Sequence, residues 1–133
     1  MTGIDTNVLV RYITRDHPDQ YSAAKEHLES HCTKEAPGYV SVIVLCELAW
    51  VLSRAYDADQ NDIAQIIDQI LRTRQLQVEQ RDQVRSALSE YIEQEADFAD
   101  CLIGQLNRSN GADETVTFDQ NAAHLRHWRE LDW

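Results

Sequence analysis

At 133 residues, 43% apolar and 26% charged, the chain has the composition of an ordinary globular protein, long enough for one domain (1–133) with a substantial core. A formal charge of −11 argues against a general nucleic-acid binder with a basic footprint, although a local site whose metal ions invert the charge stays open. No stretch approaches the ~18 apolar residues of a membrane span, and Met1-Thr2-Gly3-Ile4 lacks the basic and apolar segments of a secretory signal. Cys32, Cys46 and Cys101 form an odd set without C-x-x-C spacing, and the compartment reads as cytoplasmic.

Residues 1–5 suit a short buried strand, followed by a helix to about Ile13 capped by Asp5 or Thr6. Pro18 is placed to open a second helix running to about His31. Ala36-Pro37-Gly38 reads as a turn and Tyr39-Val40-Ser41 as a strand, before a mostly apolar helix from Val42 to Tyr56. Asp59 or Asn61 starts the next helix, whose Ile63, Ile66, Ile67, Ile70 and Leu71 form an amphipathic stripe. Leu76-Gln77-Val78 is a strand candidate, and helices are expected over 82–94 and 97–110, the second stopped by Asn110-Gly111. Thr115 to Phe118 is the last predicted strand, and a C-terminal helix from near Gln120 is expected to carry His124 and His127. Strands alternating with helices indicate an α/β layered domain with a mostly parallel sheet, whose functional groups gather at the carboxyl ends of the strands.

Four acids stand in unusual places. Asp5 and Asp119 end the first and last predicted strands, Glu47 lies inside the apolar run from Val42 to Leu52, and Asp100 follows Asp97-Phe98-Ala99. An unpaired buried carboxylate is costly, and two of them ~5 Å apart repel by roughly 3 kcal/mol at an effective dielectric of 20. Four together would call for a divalent cation. Plainer explanations exist for most of them singly: Asp5, Asp97 and Asp119 can cap helices, and Asp100 suits a helix first turn. Glu47 lies too deep in its helix to complete a capping box with Ser41, which leaves a salt bridge to Arg54 as its structural alternative.

Other motifs carry less. His27 and His31 have a chelating spacing, but Leu28 stands where a zinc-protease helix has Glu. There is no Gly-rich phosphate loop and no nucleophile elbow. Ten of the twelve cations are arginine, and Arg11, Arg15 and Arg108 could form a local phosphate-binding stripe or simply pair with surface acids.

Ile4-Asp5-Thr6-Asn7-Val8-Leu9, Ser41 with Glu47-Leu48, the run Asp97 to Ile103, and Thr117-Phe118-Asp119 together resemble PIN-domain ribonucleases, specifically the VapC-type toxins of toxin–antitoxin pairs. The resemblance spans nearly the whole chain. It implies a three-layer α/β/α sandwich with a mostly parallel central sheet, a homodimer, and a VapB-type antitoxin partner. It also implies an acidic pocket of Asp5, Glu47, Asp100 and Asp119, organised by Thr6 and Asn7. Ser41 and Thr117 would orient neighbouring acids, and Asp97 would be secondary to Asp100. Carboxylates of this kind suit Mg²⁺ or Mn²⁺, which keep several waters and lower the pKa of one of them for attack on a phosphodiester. The expectation is a metal-dependent endoribonuclease. A catalytically silent PIN-like interaction module, a carboxylate/metal phosphatase and a DNA nuclease remain as alternatives.

Overall fold

Every strand pairing in the computed structural model, which describes residues 1–133, is parallel. The chain divides into two compact units, Met1–Glu79 and Gln80–Trp133. In the first, β1 (Thr2–Gly3), β2 (Gly38–Val40) and β3 (Leu76–Val78) form a sheet in that order. In the second, β4 (Thr115–Thr117) pairs with β5 (Trp128–Glu130). The parallel α/β architecture agrees with the sequence reading, although the strands are short and fall into separate three- and two-stranded sheets. The first strand is also exposed where burial was expected: it lies at the sheet edge, and Ile4 is the buried residue of that segment.

The amino-terminal helices begin where polar caps stand. Helix α1 (Thr6–Thr14) starts at Asp5, whose Oδ1 accepts from the Thr6 amide at 2.8 Å. Pro18 opens α2 (Pro18–Glu26), which widens into a π-helical turn over His27–His31. Ser41 caps α3 (Val42–Ala55), its hydroxyl accepting from Val44 N, and Asp59 caps α4 (Gln60–Arg72) through the Asp62 amide. The α4 stripe is buried as expected at Ile63, Ile67, Ile70 and Leu71.

Helix α3 sets the position of the site. Leu45, Leu48, Ala49 and Leu52 are its buried residues, an i, i+3, i+4, i+7 stripe worth roughly 1.5–3 kcal/mol for each large side chain removed from water. The opposite face carries Ile43, Glu47, Trp50 and Arg54, all exposed. Glu47 is therefore not embedded in the core. The apolar run from Val42 to Leu52 is wider than the stripe its helix buries, and the acid sits on the remaining surface.

In the carboxy-terminal unit α5 (Arg81–Glu93) packs on α6 (Phe98–Ser109). Tyr91 meets Phe98 edge-on with ring centroids 5.8 Å apart, and Val84, Ala87, Leu88, Cys101 and Leu102 are buried. The C-terminal helix expected from Gln120 does not form. A single 3₁₀ turn, Ala122–His124, follows Asp119, and the chain then enters β5. Only Ala122 and Leu125 are buried between 120 and 127, which is too little apolar surface to hold a longer helix. His127 adopts a left-handed φ of 67° and offers its carbonyl to Thr115 N at 2.7 Å, starting the β4–β5 ladder instead.

The two faces of α3 make opposite predictions for stability. Leu48→Ala should cost about 2–5 kcal/mol in urea denaturation, while Ile43→Ala should stay within about 0.5 kcal/mol of wild type. Equal losses at the two positions would mean that the helix is rotated from the orientation described.

Candidate functional site

Parallel register lines up the strand ends of the amino-terminal sheet. Gly3 pairs with Tyr39, and Val40 with Val78, so Asp5, Ser41 and Glu79 follow at one edge, just beyond the carboxyl ends of β1, β2 and β3. The ladder continues into this row through Ile4 N to Tyr39 O at 2.9 Å and Glu79 N to Val40 O at 2.9 Å. Glu79 was not anticipated as a site neighbour. Its Oε1 accepts from Val42 N at 2.9 Å, so together with Ser41 it fixes the first turn of α3, the helix that carries Glu47. The signal for it was present: an acid directly after a predicted strand, as with Asp5.

Asp5, Thr6, Asn7 and Glu47 line one cavity of about 290 Å³, with Val10, Arg11, Val51, Ala55 and Tyr56 completing its wall. The expected association of Asp5 with Glu47, Thr6 and Asn7 is thus present within this unit. Thr6 is 4% exposed, and its Oγ1 is the one buried side-chain polar atom without a hydrogen-bond partner. An orphaned hydroxyl costs about 1–3 kcal/mol, which marks this wall as built for something other than stability.

Arg11 enters the same cavity already engaged. Its Nε donates to Gln20 Oε1 at 2.8 Å, and its Nη1 lies 3.0 Å from Asp16 Oδ1. The Tyr56 hydroxyl donates to Asp16 Oδ2 at 2.7 Å, and this bond, with one from Thr14, holds the Asp16 carboxyl down at about 2. Arg15 lies 5.0 Å from the Tyr21 ring centroid. The proposed arginine stripe is accordingly tied into local pairs at both of its amino-terminal members. Arg108, in the other unit, borders a separate cavity of about 250 Å³ with Glu90, Glu114, Arg126 and His127, and no acid of the predicted site lines it. Arg54 does not form the salt bridge considered for Glu47. It stands over Trp50, 6.0 Å from the ring centroid.

In the carboxy-terminal unit the charges of Asp97 and Asp119 act on Asp100. Asp100 is partly buried, and desolvation raises its pKa from the ordinary value, with the charges of Asp97 and Asp119 adding in the same direction. Asp97 occupies the N-cap position of α6 but makes no side-chain cap hydrogen bond, so capping does not explain it after all. Asp119 does cap: Oδ1 accepts from Asn121 N at 2.8 Å and from Ala122 N at 3.4 Å. Thr117 orients the backbone of that acid rather than its carboxylate, Oγ1 accepting from Asp119 N at 2.9 Å.

The remaining candidates for chemistry are quiet. His27 and His31 stack with centroids 5.8 Å apart, and His31 leans on Glu26 at 3.8 Å. All three cysteines are free, and burial pushes the Cys101 thiol up to about 12, which removes it as a nucleophile.

The profile of the PIN domain matches residues 4–127. The chain belongs to the PIN domain family. A similar protein is one of Aquifex aeolicus (strain VF5) named "VapC ribonuclease", 25% identical over 125 residues that cover 94% of this chain and 92% of that protein. No solved structure gives a significant match.

The donor chemistry of this PIN domain suits a hard divalent cation. Carboxylate oxygens are the preferred ligands of Mg²⁺ and Mn²⁺, and the repulsion around Asp100 is the kind that such an ion relieves. Within neither unit do three or more His, Cys, Asp or Glu side chains form a ready-made ligand set.

Two stability predictions separate capping from charge. Asp5→Asn keeps an acceptor for the Thr6 amide and should leave stability nearly unchanged, whereas Asp5→Ala should lose about 0.5–2 kcal/mol on denaturation. Asp100→Asn, in chelator, should be more stable than wild type at pH 7, because a raised folded-state pKa means that the charged form destabilises the fold. The difference should close as the pH falls through the carboxylate range to below the ordinary value of 3.8. An Asp100→Asn protein less stable than wild type at neutral pH contradicts the repulsive cluster.

Proposed function

We propose that this PIN-domain chain is a divalent-metal-dependent endoribonuclease, the toxin of a toxin–antitoxin pair. One observation carries the proposal: Asp5 and Glu47 line one cavity beside the unpartnered Thr6 hydroxyl, and Asp100 is partly buried with its pKa raised by desolvation and by the charges of Asp97 and Asp119. Such an arrangement is unfavourable for folding and favourable for binding a cation. The resemblance to a protein named VapC ribonuclease supports RNA as the substrate and a VapB-type antitoxin as the partner. A homodimer and a cytoplasmic setting belong to the same reading, and the three free thiols fit a reducing compartment.

In this proposal Asp5 and Asp100 would be the principal metal ligands, Glu47 would complete the set and help polarise the attacking water, and Asp119 would contribute to a second or transient metal. When bound, Mg²⁺ or Mn²⁺ supplies a lowered pKa for a coordinated water and neutralises charge on the phosphodiester. The side chains of this protein do the positioning. Asp5 is fixed by the Thr6 amide, and Glu47 is carried on a helix whose first turn is held by Ser41 and Glu79. Asn7 and the orphaned Thr6 hydroxyl stand beside Asp5, able to give a hydrogen bond to a ligand water or a carboxylate. Asp97, at the α6 N-cap without a side-chain cap hydrogen bond, adds its charge to the negative surroundings of Asp100 that would favour a cation there. No Ser, Cys or His of the chain is arranged as a nucleophile, which is consistent with attack by water.

A catalytically silent PIN-like module is the competing reading, favoured by the absence within each unit of a preformed three-residue ligand set. Purified protein should cleave single-stranded or looped RNA with Mg²⁺ or Mn²⁺, lose cleavage in chelator, and lose it by on the order of a hundredfold or more in Asp5→Asn and Asp100→Asn. Thr6→Val should lower activity by about 10–100-fold while the fold survives. Undiminished cleavage by both Asn variants sinks the ligand assignment. Preference for single-stranded DNA or a phosphomonoester moves the substrate class, and no metal-dependent cleavage of any of the three leaves the silent module.

A further inference from the structure

We propose that Trp50 and Arg54 of α3 form a stacking platform for an unpaired base of the substrate RNA, beside the Glu47 cavity; the inference rests on the nuclease reading and extends it. Trp50 is 61% exposed, and its helix is anchored through other residues, so the indole contributes nothing to the core. Trp50 follows Glu47 by three positions and Arg54 by seven, which places all three on one helix face. The rise from Glu47 to Trp50 is about 4.5 Å along the axis, so the ring lies next to the acid and not at a remote end of the helix.

The Arg54 guanidinium stands 6.0 Å from the Trp50 ring centroid. Cation and ring together form the kind of surface that single-stranded nucleic acid uses: a π face for a base and a positive charge for the adjoining phosphate. The local pair, and not the net charge, favours RNA as the occupant: the ring offers a π face to a base and the guanidinium a partner for its phosphate, and a single-stranded nucleic acid brings both, while the net charge of −11 disfavours every anionic partner alike. The same net charge weakens diffuse attraction to RNA, and Arg11 and Arg15 are already engaged, so affinity must come from contacts that do not depend on overall charge. Base stacking is such a contact, and it tolerates any sequence because every base presents a π face.

The test uses the Asp5→Asn protein in Mg²⁺ as a non-cleaving host and a short single-stranded oligoadenylate as the probe. Trp50→Ala in that host should weaken binding by at least about fivefold, with Trp50→Phe retaining most of the affinity. Arg54→Gln should reduce the salt dependence of binding by about one ion, whereas Trp50→Ala should leave the slope unchanged. In the cleaving protein Trp50→Ala should raise KM by a similar factor with kcat little changed. Equal affinity in the unmodified host and in its Trp50→Phe and Trp50→Ala variants overturns the platform while leaving the nuclease reading intact. A Trp50→Ala protein that loses self-association in sedimentation but keeps its oligoadenylate affinity also overturns it, since the face then belongs to a second copy. Conversely, a wild type that cleaves no RNA, together with Trp50-dependent oligoadenylate binding, removes the nuclease reading and keeps the stacking site.

Discussion

The rotation of α3 about its own axis is the constraint on which the amino-terminal unit depends. Turning the helix by about two residues, roughly 200°, would exchange the faces that meet the core and solvent. Leu45, Leu48, Ala49 and Leu52 oppose that turn through their buried area, and Ser41 and Glu79 oppose it by hydrogen bonds to the first turn. The gain of roughly 1.5–3 kcal/mol for each large buried side chain exceeds what any cap supplies, so packing chooses the face and the caps fix the start. Glu47 and Trp50 owe their exposure to this division. Neither makes the helix stable, and both are delivered to the surface by residues that do.

The acids of the two units follow different physical rules. Asp5 and Asp119 each accept backbone hydrogen bonds at the start of a turn or helix, so part of their presence is structural. Asp97 and Asp100 have no such return: one occupies a cap position without capping, and the other is desolvated among like charges. A fold optimised only for stability would replace Asp100 with an amide or an apolar residue. Retaining it is the kind of stability sacrifice that functional sites show. The orphaned Thr6 hydroxyl beside Asp5 is a second departure of the same sort, independent of any charge.

Much of this was legible in the residues because the signals were local. Asp5, Ser41 and Asp59 announce helix starts, and the α4 isoleucines repeat at helical spacing over three turns. The placement of acids at strand ends followed from a general property of parallel sheets, and the same property applied to Leu76–Val78 would have identified Glu79. The misreading of Glu47 as buried came from the composition of its run. The i, i+3, i+4, i+7 positions from Leu45 exclude it from the stripe, so the periodicity held the answer that the hydropathy obscured. Strand β5 was not legible in the same way. Trp128-Arg129-Glu130 has no alternation of its own, and it becomes a strand only by pairing with Thr115–Thr117, whose register no local pattern encodes.

How so acidic a protein could meet an anionic polymer is the remaining physical question, and the arrangement of cations constrains the answer. Arg11 is held by Gln20 and Asp16, Arg15 by the Tyr21 ring, Arg72 by Asp68 and Arg129 by Glu114. Cations paired in this way add little to a long-range field, and an ionic strength near 0.15 M confines what is left to about 8 Å. Attraction therefore has to be made at short range. On the proposed reading two sources meet that requirement: a divalent ion, which would reverse the sign of a carboxylate cluster where it bound, and an exposed aromatic ring, whose attraction for a base does not depend on net charge. The net charge of −11 makes long-range attraction to RNA unfavourable, and contacts of this short-range kind need a segment able to present an unstacked base, which favours loops and single strands over duplexes.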